Sequence, residues 1–412
     1  MIRHVANANA ILFVQYAVNS LVPLLLIPHI VAIIGLAEYG RQAVLIAWGG
    51  YGAIVVQYAF QLTGPKRIAQ LEPGDSLCAV FIDVTLARIL LLLGVVSLIF
   101  VVLCYRGFPK TESDIAWVLL FAAPIAASVN SAWFLQVQGR FFSACILAIV
   151  GSIIVLSVGF GFVREQSEVA VDVVVFVSVF GQLFYGVGTL LLVYCSLEWG
   201  KASLDLSRAV MAIKDGWHLF ASQFISAAYS TSGPIVIGYL IDAKSAGAYS
   251  VTERAINAFM MGAMLTHTAA YPSLARAYKN DRHGYLGLLK LVIIGYLLIV
   301  LTVAGVGCFF LENVSLFLYG EPSVDNGLLL LFGLLWLVFG IFGTALTGYL
   351  TVAGRSSEVW PLTLKILAFS IALGVPGVLL LGGGGWLAAL VLSQLIVLHA
   401  GFKSWRRESD KR

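Results

Sequence analysis

Roughly twelve apolar stretches, each long enough to cross a bilayer, follow one another along this chain of 412 residues. The run Leu291–Leu311 shows the pattern, with 21 residues and no charge among them. A helix needs about 20 residues, at a rise of about 1.5 Å each, to cross a hydrocarbon core of about 30 Å. With 60% of residues hydrophobic and 11% charged, an ordinary soluble core is excluded. Mean hydropathy is +0.95. The expected fold is an all-α polytopic membrane protein. About twelve transmembrane helices would form two pseudo-symmetric six-helix bundles around a central cavity. Strands are a poor alternative, because membrane barrels alternate polar and apolar residues in segments of about ten. These runs are continuous, and helices satisfy their own backbone groups in lipid.

Charges and turn residues divide the sequence into spans at about 9–34, 42–62, 84–105, 115–136, 141–163 and 173–197. The second set lies at about 217–241, 247–271, 286–311, 327–352, 359–381 and 386–402. Gly382-Gly383-Gly384-Gly385 parts the last two, since glycine forms helix poorly and turns freely. The first apolar run reaches Ala37 before Glu38, and no small-residue cleavage site closes it. It is expected to stay as the first span.

With the N-terminus inside, Arg3, the inner loops and the tail together carry seventeen Lys and Arg residues against five outside (Arg41, Arg106, Lys110, Arg164 and Lys244). That asymmetry puts both termini in the cytoplasm. A formal net charge of +4 gives no reason to expect a nucleic-acid partner. Five cysteines without paired spacing point to buried thiols rather than a disulfide framework. No GxxxxGK[ST] loop, HExxH or Cys/His cluster occurs. Neither a built-in ATPase, nor a metal site, nor any cofactor is expected. The outer loops are short, the longest being about 312–326. They leave no room for a catalytic domain, so an enzyme is not expected.

The chain repeats at an offset of 207 residues, the distance from Gly40 to Gly247. Phe13 matches Phe220 and Pro65 matches Pro272 at the same offset. Chance among Leu-, Ala- and Gly-rich helices is the competing explanation. A true repeat after six spans gives two halves related by an axis along the membrane normal. The expected organisation is an N-terminal half at 1–200 and a cytoplasmic linker at 201–216. A C-terminal half at 217–402 and a basic tail at 403–412 follow.

Polar groups inside spans are costly and usually face a cavity or a partner. Gln15 and Asn19 share one helix face in the first span, below Pro23 and Pro28. Tyr229-Ser230-Thr231-Ser232-Gly233-Pro234 should break the seventh span, either to meet a ligand or as a packing kink. In the eighth span Tyr249, Glu253 and Asn257 fall on one face, with Arg254 about 100° around. Glu253 and Arg254 either line a charged cavity or form a structural ion pair. Arg88 lies about one turn into the third span, where snorkelling also explains it. Lys365 lies deeper in the eleventh, and Arg41 sits at the mouth of the second. The fourth span adds Asn130, Ser131, Trp133 and Gln136, whose amides and indole suit sugar hydroxyls. Counted this way, the spans hold three bases and a single acid, Glu253.

Three segments carry a family likeness. The first is Asn19-Ser20-Leu21-Val22-Pro23-Leu24-Leu25-Leu26-Ile27-Pro28, with Gly35, Tyr39-Gly40 and Lys66-Arg67-Ile68-Ala69. The second is Trp133-Phe134-Leu135-Gln136-Val137-Gln138-Gly139, with one residue inserted before the Gln-Gly pair. The third joins Trp217-His218-Leu219-Phe220-Ala221-Ser222 to Ala246-Gly247-Ala248-Tyr249-Ser250-Val251-Thr252-Glu253-Arg254 and Tyr271-Pro272. Over about 9–280 the chain resembles the O-antigen flippases (Wzx-type) of the polysaccharide-transporter family. That family lies in the superfamily of multidrug, oligosaccharidyl-lipid and polysaccharide exporters.

The resemblance implies flipping of undecaprenyl-pyrophosphate-linked oligosaccharide to the outer leaflet. On that reading Arg254, Lys365, Arg88 and Arg41 would meet the pyrophosphate. Gln15, Asn19, Asn130, Gln136 and Asn257 would meet the sugar, and Glu253 would couple an ion. The location would be the bacterial inner membrane, and membrane lipid and other polysaccharide-assembly membrane proteins would be partners. An ion-coupled drug or cation antiporter of the same superfamily is the alternative.

Overall fold

The structure, a computed structural model, describes residues 2–71, 76–107, 115–164, 168–197, 204–280, 311–320, 324–352 and 359–409, with parts of 290–309. The regular elements among them are helical. Helix α1 (Ile2–Gln57) carries the first two expected spans as one run, bent at Gly35, whose φ of 79° and ψ of 159° suit glycine. Helix α2 (Phe60–Ala69) follows left-handed Tyr58 and Ala59. Then come α3 (Leu77–Arg106), α4 (Leu119–Val129), α5 (Ala132–Val137), α6 (Phe141–Phe162) and α7 (Glu168–Tyr194). The fourth expected span is thus two short helices, parted at Asn130 and Ser131.

The expected break in the seventh span falls between α8 (Leu206–Ser230) and α9 (Gly233–Leu240). Helices α10 (Ala243–Asn280), α11 (Leu311–Tyr319), α12 (Val324–Val352), α13 (Val359–Leu381) and α14 (Gly383–Ser409) complete the order. Gly382, at φ 60°, separates α13 from α14 where the glycine run predicts a turn. The basic tail expected from 403 continues α14 as helix to Ser409. Seven helical stretches among the described residues are long and apolar enough to cross a membrane. Half of the ninth expected span, 286–311, lies outside the described residues.

The helices group into two units, Met1–Val22 with Arg41–Ser232, and Pro23–Gly40 with Gly233–Arg412. This grouping crosses the expected boundary twice. In the first unit, α8 is held on α2 and α3. Arg67 Nη2 pairs with Asp215 Oδ2 at 2.7 Å, and Arg208 Nε lies 3.3 Å from Asp83 Oδ1. The rings of Tyr58 and Phe220 stack at 4.3 Å. The core beside them holds Phe60, Phe81, Trp133, Phe134 and Leu135, all buried. Between helices in lipid, close van der Waals packing rather than water release supplies the drive.

In the second unit, residues 36–40 press on the start of α10. A Cβ on Gly40 would fall on the carbonyl oxygen of Ala243 and 2.7 Å from the Gly247 nitrogen. A Cβ on Gly247 would fall on the carbonyl oxygen of Leu36 and 3.2 Å from the Gly40 nitrogen. Leu36 and Ala243 stand at the same offset as Gly40 and Gly247. Exchanging the two copies therefore reproduces the contact set, which is the signature of an isologous contact about a two-fold axis.

Helix α8 starts on an N-cap. Asp205 Oδ1 accepts from the Ser207 hydroxyl at 2.6 Å, the Ser207 amide at 2.9 Å and the Arg208 amide at 3.4 Å. These bonds hold the carboxyl below the usual range, because they favour its charged form. A lowered value in the fold means that the cap's contribution is full above the unfolded value of about 3.9. It is lost as pH falls through the lower folded value. Asp205→Ala is expected to speed amide exchange in the first turn of α8 several-fold at neutral pH. Acidifying the wild type should begin that loss of protection below about pH 3.9 and complete it only below the lower folded value.

Candidate functional site

In the second unit a polar cluster forms where α10 begins. Arg254 and Glu253 are half-buried on α10, and Asn257 is exposed one turn further along. The Arg254 guanidinium lies over the Tyr39 ring, 5.6 Å from its centroid. Tyr39 is 4% exposed, and Tyr249 is wholly buried with its ring against Gly233 at the start of α9. Glu253 lies within electrostatic range of Arg254, Tyr39 and Tyr249. Neither tyrosine hydroxyl has a hydrogen-bond partner among the described residues. A buried hydroxyl left unpaired costs about 1–3 kcal/mol. Thr252 fixes α10 on α11 through a 2.6 Å hydrogen bond with the Tyr319 hydroxyl. Lys365 is exposed on α13 in the same unit.

In the first unit Arg88 is 3% exposed rather than open at a mouth. Its Nη1 donates to the carbonyl of Asn130, the C-cap of α4, and its guanidinium lies 5.8 Å from the Phe60 centroid. A cation there meets the negative end of a broken helix. Asn130 is engaged too, its Oδ1 accepting from the Ala132 amide at 3.1 Å as α5 starts. Gln15 is buried, donating through Nε2 to the Tyr185 hydroxyl at 2.6 Å, while its Oε1 has no partner among the described residues. Asn19 is exposed, and Gln136 and Arg41 are half-buried. Trp133, whose indole suits a sugar, packs instead between Phe81 and Phe134 in the core.

The count of one acid within the spans needs correcting. Asp83 lies inside α3 and is 6% exposed. The helix starts at Leu77 rather than 84, because Arg208 from α8 compensates the charge. Glu38, which ends the first apolar run in the sequence, is 1% exposed within the α1 run. Tyr39 enters the family likeness beside Gly40, but nothing in the sequence assigned it a role. Among the described residues no three His, Cys, Asp or Glu side chains gather as for a metal ion.

A half-buried guanidinium with free N–H groups can take a phosphate bidentately. A curated relative from Escherichia coli (strain K12), the "Putative O-antigen transporter", is 25% identical over 267 residues, or 64% of this chain. The chain spans 63% of the length of that relative. Among solved structures, the lipid II flippase MurJ in an inward closed conformation matches with a TM-score of 0.71 and 13% identity. That match covers 97% of this chain and 87% of MurJ. A MOP superfamily transporter from Pyrococcus furiosus matches with a TM-score of 0.63 and 14% identity, over 98% and 95% of the two chains. The fold is therefore that of this transporter class, as the sequence leads one to expect. A profile described as polysaccharide biosynthesis protein matches residues 5–278. The chain belongs to the polysaccharide biosynthesis protein family.

Proposed function

We propose that the chain is a flippase rather than an enzyme. It would carry undecaprenyl-pyrophosphate-linked oligosaccharide, an O-antigen or capsule repeat unit, from the cytoplasmic to the periplasmic leaflet of the inner membrane. The observation that carries this reading is Arg254, a half-buried cation among unpaired phenols in a member of this family. In a site poor in water its interaction with a pyrophosphate is strengthened. Lys365 and Arg41 would receive the headgroup on its way, and Arg88 would join only if the α4 end released it. Asn19, Asn257 and Gln136 would meet the sugar, with Gln15 Oε1 and the Asn130 amide nitrogen as further groups. The polyprenyl tail would stay in membrane lipid. Two halves, 1–200 and 217–402, would rock to alternate access, with both termini cytoplasmic. Glu253 is proposed to couple an ion, and other polysaccharide-assembly membrane proteins are proposed as neighbours.

A second reading is an ion-coupled drug or cation antiporter of the same superfamily. Buried Asp83 and Glu38 favour it, since they add two acids to the one that the sequence placed within spans. A deletion strain separates the two. The flippase reading expects lipid-linked oligosaccharide to accumulate and surface polysaccharide to vanish, both reversed by the wild-type gene. Unchanged polysaccharide with increased drug sensitivity would favour the antiporter. Complementing the same strain with Glu253→Gln tests coupling. Polysaccharide output should lose its dependence on external pH, and an intact dependence would remove Glu253 from that role.

A further inference from the structure

We propose that Tyr39 is a positioning residue for Arg254, its ring face holding the guanidinium where a prenyl-linked pyrophosphate headgroup is taken up. This rests on the flippase reading, and names how its cation is held. The backbone beside the ring is held by backbone of α10 rather than by a mobile side chain. Gly40, the next residue, is pressed against Ala243 and Gly247 of α10. Arg254 follows Gly247 by seven residues, which is two helical turns, so both lie on one face. Helical side chains lean toward the start of their helix, and the guanidinium reaches that way to the Tyr39 ring at 5.6 Å.

Holding an arginine by a ring face differs from holding it by a carboxylate. A carboxylate would occupy two N–H groups and cancel the charge. A ring face orients the guanidinium plane and leaves its donors and charge for an anion. Among the described residues Arg254 makes no ion pair, and its neighbour Glu253 touches it only through the field. The arrangement exists in one copy of the repeat alone. At the matching offset Tyr39 is replaced by Ala246, and Arg254 by Ala47. One headgroup site per chain follows.

The test uses the full chain in lipid nanodiscs, with calorimetric binding of farnesyl pyrophosphate and, separately, inorganic pyrophosphate. Tyr39→Phe keeps the ring and should bind farnesyl pyrophosphate within about twofold of wild type. Tyr39→Leu should weaken it about tenfold, the order expected for a partly desolvated cation–π contact. The same factor should appear with inorganic pyrophosphate, which should itself bind at least about tenfold more weakly because the lipid-linked form is the ligand. In an Arg254→Ala background, Tyr39→Leu should add nothing. Should Tyr39→Leu fail to purify, Tyr39→Met fills a similar volume without a π face and carries the same expectation. Wild-type binding by the leucine or methionine variant overturns the inference, as does an equal loss in the Arg254→Ala background. A loss confined to the farnesyl form also overturns it. Intact binding by Arg254→Ala itself would instead sink the headgroup reading on which the inference rests.

Discussion

Arg254→Ala is expected to abolish surface polysaccharide while the protein remains in the membrane at wild-type amounts. The loss comes from the chemistry of the anion. A hydrogen bond to a charged group contributes about 1.5–3 kcal/mol, and a guanidinium can make two in parallel to one phosphate. Headgroup affinity should therefore fall by about a hundredfold or more, since each 1.4 kcal/mol is about tenfold. Stability should change little, because Arg254 is half-buried and its described contact is a ring face rather than an ion pair. Arg254→Lys keeps the charge and loses the planar fork, so a loss of about tenfold is expected there. Immunoblots of membranes and gel profiles of extracted polysaccharide read both quantities in one strain. Normal polysaccharide output in the alanine variant would remove Arg254 from the substrate path.

The residues that the sequence misplaced share a cause. Hydropathy scores each residue for transfer into lipid by itself, so it locates the helices well. It also finds breaks made by local chemistry, as between Ser230 and Gly233 or at Gly382. It does not see partners distant in the chain. Asp83 marks a span boundary only until Arg208, 125 positions later, is brought beside it. Arg88 resembles a snorkelling base until the break at Asn130 offers it a helix end. Trp133 and Asn130 suit a sugar by chemistry alone, yet packing and capping engage them first. Arg254 and Glu253 were legible because two opposite charges deep in an apolar run need an explanation of any kind. Tyr39 was not, because a tyrosine at a span end is ordinary and its role depends on a contact with α10.

Gly40→Leu and Gly247→Leu should each lower thermal stability, and the pair together should cost little more than either alone. The atoms that a new side chain would meet are backbone, the Ala243 and Leu36 carbonyls and the facing nitrogens. Rotamer changes cannot clear backbone, so residues 36–40 must part from the start of α10. Overpacking of this kind costs about 3 kcal/mol when nothing can yield. Once the segments have parted, the second leucine meets open space, which makes the cycle strongly non-additive. The same separation withdraws the Tyr39 ring from Arg254, so pyrophosphate binding should fall with stability. Gly94→Leu is the control, because a Cβ there meets nothing within 4 Å and leucine favours helix over glycine. Thermal unfolding followed by tryptophan fluorescence in nanodiscs would give all four values. If the two leucines destabilise additively, they act at separate places, and the exchanged contact between the repeat copies is not what holds residues 36–40 on α10.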